Sequence, residues 1–220
     1  MKKSKRKLIF PDKFDILLAL IGVSFCGIGA GFTKCASLGL DSIGIFYDGI
    51  RNVIGFPVDM LGVASFIVNG IIITFLFFAS KKYVSLGTLI YIIAYGSFVT
   101  IGTIIYNAVF VENIFIIRIL FSFIGFMILY IGIGIFVAID IGVDAFTGLV
   151  LFLSDITHFE MKYVKIAFDL ILIIIGAVIG GEFGAATFIT MITAGPLITL
   201  FSKKFQAIYF KIKLRKEKMS

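Results

Sequence analysis

Residues 38–55, LGLDSIGIFYDGIRNVIG, and residues 141–158, IGVDAFTGLVLFLSDITH, are two apolar, helix-like stretches, and each opens on a glycine turn followed by an aspartate. An α-helix needs roughly 20 residues to cross the hydrocarbon core, so both are too short to span it. They read as re-entrant half-helices or as helices lying in the interface. Asp41 and Asp144 stand where each helix begins and can accept the free amide hydrogens of the next turn. The two stretches belong to a longer repeat. Gly29-x-Gly31 recurs as Gly132-x-Gly134, and Leu38-Gly39-Leu40-Asp41 recurs as Ile141-Gly142-Val143-Asp144, both 103 residues on. Asn69 matches Asp169 at 100 residues, and Thr88 with Gly96 matches Thr187 with Gly195 at 99, small loop deletions accounting for the drift. The chain is thus two copies of one unit: helix, short helix, helix, helix.

Around these stretches a hydrophobic share of 60% and a mean hydropathy of +1.12 exceed what a soluble domain carries, and only 15% of the residues are charged. Too few polar residues remain to build a water-facing shell, so most of the surface must face lipid. The expected fold is an all-α membrane protein with six transmembrane helices, at about 14–33, 58–80, 86–109, 115–138, 162–181 and 184–202. One membrane domain covers residues 1–220, with repeat one at about 14–109, repeat two at about 115–202 and basic tails at 1–13 and 203–220. Each unit crosses three times, an odd number, so the second copy enters the bilayer from the opposite side and the repeats are inverted. That pattern marks many secondary transporters and some channels, whose sites lie near the midplane between the copies. The N-terminus starts like a signal peptide, but five more apolar runs follow, and it is expected to be retained as the first span.

The net charge of +7 is concentrated at the two ends. Lys2, Lys3, Lys5, Arg6 and Lys7 precede the first span, and Lys203, Lys204, Lys211, Lys213, Arg215, Lys216 and Lys218 follow the last. Flanking Lys and Arg are retained on the cytoplasmic side, so both termini are expected there. Lys81 and Lys82 fall on the expected inside, and Glu112 and Glu182 on the expected outside. Lys34 and Arg51 run against the rule without reversing it. This distribution argues against a nucleic-acid-binding face and leaves an RNA-binding tail or an anionic-lipid contact as alternatives for the C-terminal cluster.

A charge at membrane depth costs from about 2.5 to above 10 kcal/mol, so each one needs a partner, a water-filled cavity or a task. The candidates for a substrate path are Asp41, Asp144, Asn69, Asp169, Asp48, Asp155 and Lys165. Asp41 and Asp144 open the short helices. Asn69 and Asp169 are repeat mates within spans, and Lys165 can pair with Asp169 at i, i+4 spacing or extend to the headgroups. Asp48 and Asp155 follow on the short helices. Gly27 with Gly31, Gly176 with Gly180 and Gly180 with Gly184 have the spacing that lets helix backbones approach closely in lipid. Cys26 and Cys35 read as small apolar fillers. Gly180-Gly181-Glu182-Phe183 spells a diguanylate cyclase signature, but a four-residue turn between spans has no room for a nucleotide-binding fold. His158 is the only histidine and no GxSxG occurs, so no catalytic residue, metal site or cofactor is expected.

The run from Leu38-Gly39-Leu40-Asp41-Ser42 to Asp48-Gly49, the turn Lys82-Tyr83-Val84-Ser85-Leu86-Gly87-Thr88, and the stretch from Gly180-Gly181-x-x-Gly184 through Thr187 to Ala194-Gly195-Pro196 resemble the YczE/YitT group of bacterial membrane proteins. The resemblance covers about residues 14–202. The chain reads Asp-Ser where members often carry a proline beside the Asp or Ser, and it lacks the soluble C-terminal domain of many YitT-type members, so it is similar to the short, YczE-like form. The resemblance implies a multi-pass protein of the bacterial cytoplasmic membrane and no particular substrate. The expected function is a small-solute or ion transporter or channel. The alternative is an accessory protein that docks a membrane partner through its glycine faces, alone or as a homo-oligomer.

Overall fold

The computed structural model of the chain describes residues 11–109 and 114–217. The expectations resting on Lys2, Lys3, Lys5, Arg6, Lys7, Glu112 and Lys218, and on the side chains of Arg215 and Lys216, lie outside the described residues. Among the described residues the regular structure is helical: α1 (Lys13–Ala36), α2 (Ser42–Ile54), α3 (Leu61–Ala79), α4 (Leu86–Val109), α5 (Phe115–Ile139), α6 (Ala145–Thr157), α7 (Met161–Val178) and α8 (Ala185–Glu217). Single 3-10 turns, Val58–Met60 and Lys81–Tyr83, lead into α3 and α4.

Among the described residues, five helices are long and apolar enough to cross a membrane: α1, α3 with its leading turn, α4, α5, and α8 over Ala185–Leu214. Helix α7 falls outside that group because its 18 residues carry Lys162, Lys165 and Asp169. Helix α8 continues to Glu217, well past the boundary of 202 expected from hydropathy. Loss of apolar character marks where a helix leaves hydrocarbon, not where its backbone stops, and Lys, Gln, Arg and Glu are good helix formers in water. Pro196 removes one backbone donor inside α8 without ending it.

Several helix ends share one backbone conformation. Ser37 after α1 and Asp140 after α5 adopt left-handed backbone conformations, at φ 51° and 54°, although neither is glycine. Left-handed backbone costs a residue with a Cβ about 1–2 kcal/mol, so the shared turn is a specific feature. Gly55 after α2 and His158 after α6 are also left-handed, and both pairs stand 103 residues apart.

The directions of the helices follow from which residues touch. Gly22 of α1 lies against the backbone of Gly132 and Phe136, and Gly29 against Gly125 and Leu129, so α1 and α5 run antiparallel. Gly27 meets Tyr95 and Phe98 while Gly31 meets Val99 and Thr103, so α1 and α4 run the same way. Gly62 and Gly96 bring α3 and α4 together backbone to backbone. The start of α5 reaches the end of α1, where Arg118 Nε donates to the Ala36 carbonyl at 2.8 Å. The start of α8 reaches that same end, where the Ala186 amide donates to the Leu38 carbonyl at 2.9 Å. The far end of α8 returns to the start of α1, where the Tyr209 hydroxyl donates to Asp15 at 2.7 Å and Lys213 pairs with Asp15 at 3.1 Å. Helices α5 and α8 therefore both start beside the end of α1, and α7 carries the chain back between them.

Candidate functional site

The two short helices are placed by their linkers. In front of α2, Gly39 packs against Gly184 and Thr187 at the start of α8; in front of α6, Gly142 packs against Ser85, Gly87 and Thr88 at the start of α4. Helix α2 then runs alongside α7. Ser42, in its first turn, donates to Asp169 midway along α7 at 2.9 Å, whereas Asn52 near its end bonds the Gly180 carbonyl past the end of α7. Helix α6 runs alongside α3 in the same manner: Gly148 packs on Leu76, Phe152 on Phe75 and Tyr83, and Asp155 reaches Lys82. Each short helix thus begins at mid-height and ends at one face, and the two end at opposite faces.

Their beginnings meet in the middle. Tyr47 of α2 packs against Phe146 of α6 at a ring separation of 5.5 Å and against Tyr95 of α4 at 6.1 Å, and Tyr95 stacks on Tyr91 at 5.0 Å. Asp41 stands at the N-cap of α2, which carries Tyr47, and Asp144 at the N-cap of α6, two residues before Phe146, so each carboxylate opens one of the two helices whose rings meet. Asp144 caps α6 by accepting from the Thr147 amide at 3.0 Å. Asp41 occupies the same cap position on α2 but makes no side-chain cap bond; its carboxylate lies over Gly44, where a Cβ would approach it to 2.7 Å. Of the two expected side-chain caps, the Asp144 bond is closed, while the Asp41 carboxylate lies beside Gly44, the third residue of α2, without closing one.

Asn69 of α3 is buried at 1% exposure, and its Oδ1 accepts from the Tyr47 hydroxyl at 3.0 Å. Among the described residues its Nδ2 has no hydrogen-bond partner. Asp169 accepts from Lys165 in addition to Ser42, which neutralises that carboxylate beside the start of α2.

Two candidates stand apart. Asp48 lies near the end of α2 in a buried ionic network, its carboxylate 2.9 Å from Lys34 Nζ and 2.7 Å from Arg51 Nε, with the Glu182 amide donating to it at 2.9 Å. Glu182 also pairs with Lys34 at 2.6 Å and accepts from the Gly39 amide at 3.1 Å. Asp155 is 58% exposed at the opposite face, 2.6 Å from Lys82 and bonded to the Tyr83 hydroxyl. The bond to Asp155 holds the Lys82 ammonium above its ordinary pKa. Helix geometry separates Asp48 from Asp41: seven residues at about 1.5 Å each carry it about 10 Å toward the face.

The glycines divide similarly. Gly27 and Gly31 seat α1 on α4, Gly176 seats α7 on Ile45 of α2, and Gly184 lets α8 approach Leu38. Gly180 is not a packing glycine: at φ 87° it turns the chain after α7, a conformation that favours glycine. Sequence reasoning missed Tyr47, Tyr95, Lys34, Arg51 and Glu182 as partners. The signal for the last three was the pair of basic residues running against the charge rule. No signal marked the tyrosines, since aromatic residues in an apolar helix are ordinary.

A model of the family described as "Family of unknown function (DUF6198)" matches residues 13–203. No curated protein and no solved structure matches the chain.

Proposed function

This chain belongs to the DUF6198 family, and on the geometry of its centre we propose that it carries a small polar solute or ion across a bacterial cytoplasmic membrane. Its two halves act as inverted three-helix units, with the beginnings of re-entrant α2 and α6 forming the midpoint of the path. Asp41, Asp144 and Asn69 line that midpoint, and Asp169 with Lys165 borders it. The observation that carries this reading is the Asn69 amide, buried and half-satisfied against Tyr47 of α2. A buried polar group without a partner costs about 1–3 kcal/mol, a cost a passing solute or water removes. Substrate sites between inverted repeats are built from such discontinuous helices.

Six crossings are supported by direction. Helices α5 and α8 start beside the same end of α1, so the intervening chain must return, and the 18 residues of α7 span about 27 Å. Its charges are eased by the Lys165–Asp169 pair and the bond from Ser42. The inverted arrangement is supported by the glycine contacts of antiparallel α1 and α5 and by matched left-handed caps 103 residues apart. A shared face for both chain ends is supported by the Asp15 contacts with Tyr209 and Lys213. The glycine contacts favour this over the accessory reading, since Gly27, Gly31, Gly176 and Gly184 face neighbours within the chain.

Two expected outcomes test this reading. Epitope tags on the two ends should both be cleaved by protease in inside-out vesicles and both be protected in right-side-out vesicles; ends on opposite faces would overturn the topology. Protein in liposomes, challenged with a panel of small solutes, should give flux that falls at least tenfold in Asp41→Asn or Asp144→Asn. Flux in no condition, or flux indifferent to both substitutions, defeats the transport reading.

A further inference from the structure

We propose that the midpoint between the α2 and α6 beginnings binds a monovalent organic cation, an ammonium-bearing solute held by Asp41 and Asp144 against the rings of Tyr47, Tyr95 and Phe146. This names the substrate class of the transport reading and rests on it for the site's role. It stands on charge, lining and the unfilled amide.

The charge decides the sign of the ligand. A helix N-terminus carries about half a positive charge and by itself favours anions. Here two such ends meet, but each bears a carboxylate, so about −2 from the aspartates stands against about +1 from the helix ends. Roughly one negative charge is left over. Lys165, which reaches the start of α2 through Asp169, is already bonded to that carboxylate. Among the described residues, no hydrogen bond or ion pair joins a basic side chain to Asp41 or Asp144. An uncompensated charge at this depth is costly, and a bound cation removes the cost.

The lining decides the kind of cation. Among the described residues there is no group of three or more His, Cys, Asp or Glu side chains able to hold a metal ion. The site offers ring faces instead. Tyr47 comes from α2, Phe146 from α6, and Tyr91 and Tyr95 from α4, so both halves of the chain contribute. Aromatic faces attract ammonium groups through the ring quadrupole, more strongly where water is excluded, and Tyr47, Tyr95 and Phe146 are all buried. Asn69 supplies the second, independent sign of a ligand: its unpartnered amide is held beside Tyr47 by the hydroxyl bond. Rotating the amide by half a turn would leave its oxygen free for an ammonium hydrogen while its nitrogen donates to Tyr47.

Equilibrium binding of radiolabelled methylammonium and tetramethylammonium to the purified full-length protein tests this, with sodium and acetate as comparison ions. Saturable binding of at least one ammonium probe is expected, weakened at least tenfold in Asp41→Asn and in Asp144→Asn. Asparagine is a good N-cap, so both variants should keep α2 and α6, which far-UV circular dichroism verifies. Tyr95→Leu should weaken ammonium binding severalfold, whereas Tyr95→Phe, which keeps the ring, should not. Absence of saturable binding, binding unchanged in both aspartate variants, or binding of sodium alone overturns the proposal. Flux of an anionic or neutral solute without ammonium binding would sink the cation assignment and leave the transport reading standing. Ammonium binding without flux of any solute would support the site and defeat transport.

Discussion

Lys34→Met is expected to destabilise the protein by about 3–5 kcal/mol, read as a shift in reversible SDS unfolding in mixed micelles. Lys34 is 7% exposed and bonds two carboxylates, Asp48 and Glu182, of which Asp48 is 1% exposed. Together with Arg51 the four side chains sum to zero charge and fill one another's hydrogen-bonding positions. Removing the ammonium leaves the buried Asp48 and the partly buried Glu182 carboxylates against one guanidinium. Breaking one partner of a buried network costs far more than the network contributes to stability, because the remaining charge stays out of water. The double variant Lys34→Met with Glu182→Gln keeps the sum at zero and should therefore lose less than Lys34→Met alone. A double variant as unstable as the sum of its single changes would show that these charges do not act as a unit.

Gly29→Ala is expected to cost about 1–3 kcal/mol even though alanine is the better helix former. A Cβ at Gly29 would stand 2.6 Å from the Gly125 carbonyl oxygen and from the Leu129 nitrogen, both backbone atoms of α5. Backbone cannot rotate away as a side-chain end can, so α1 and α5 must separate. Gly70→Ala is the control. Nothing lies within 4 Å of a Cβ there, and the change should be neutral or stabilising by up to about 1 kcal/mol. Thermal melts of both variants check the pair; equal effects would mean that the α1–α5 crossing is looser than the glycine contacts imply.

Much of the architecture could be read from residue order. Glycine turns followed by Asp41 and Asp144 set the beginnings of α2 and α6 at the next residue, Ser42 and Ala145. Apolar length set α4 and α5 to within a residue. One boundary failed because hydropathy reports solvent, not backbone conformation: it ended α8 at 202 rather than Glu217. At the centre, Asp41, Asp144 and Asn69 could be picked out because polar residues stand out in apolar helices. Tyr47, Tyr95 and Phe146 could not, since nothing local separates an aromatic residue facing a polar centre from one facing lipid.

The sequence alone determined that this is an all-helical protein with several helices apolar enough to cross a membrane, because composition and short-range periodicity depend only on neighbouring residues. Tertiary structure decided which charges neutralise which. Asp48 is drawn to Lys34 and Glu182 across separations of 14 and 134 residues, away from the centre that Asp41 and Asp144 border. Pairing across such separations is fixed by how helices pack, since glycine contacts set the crossings and the crossings choose each side chain's partner.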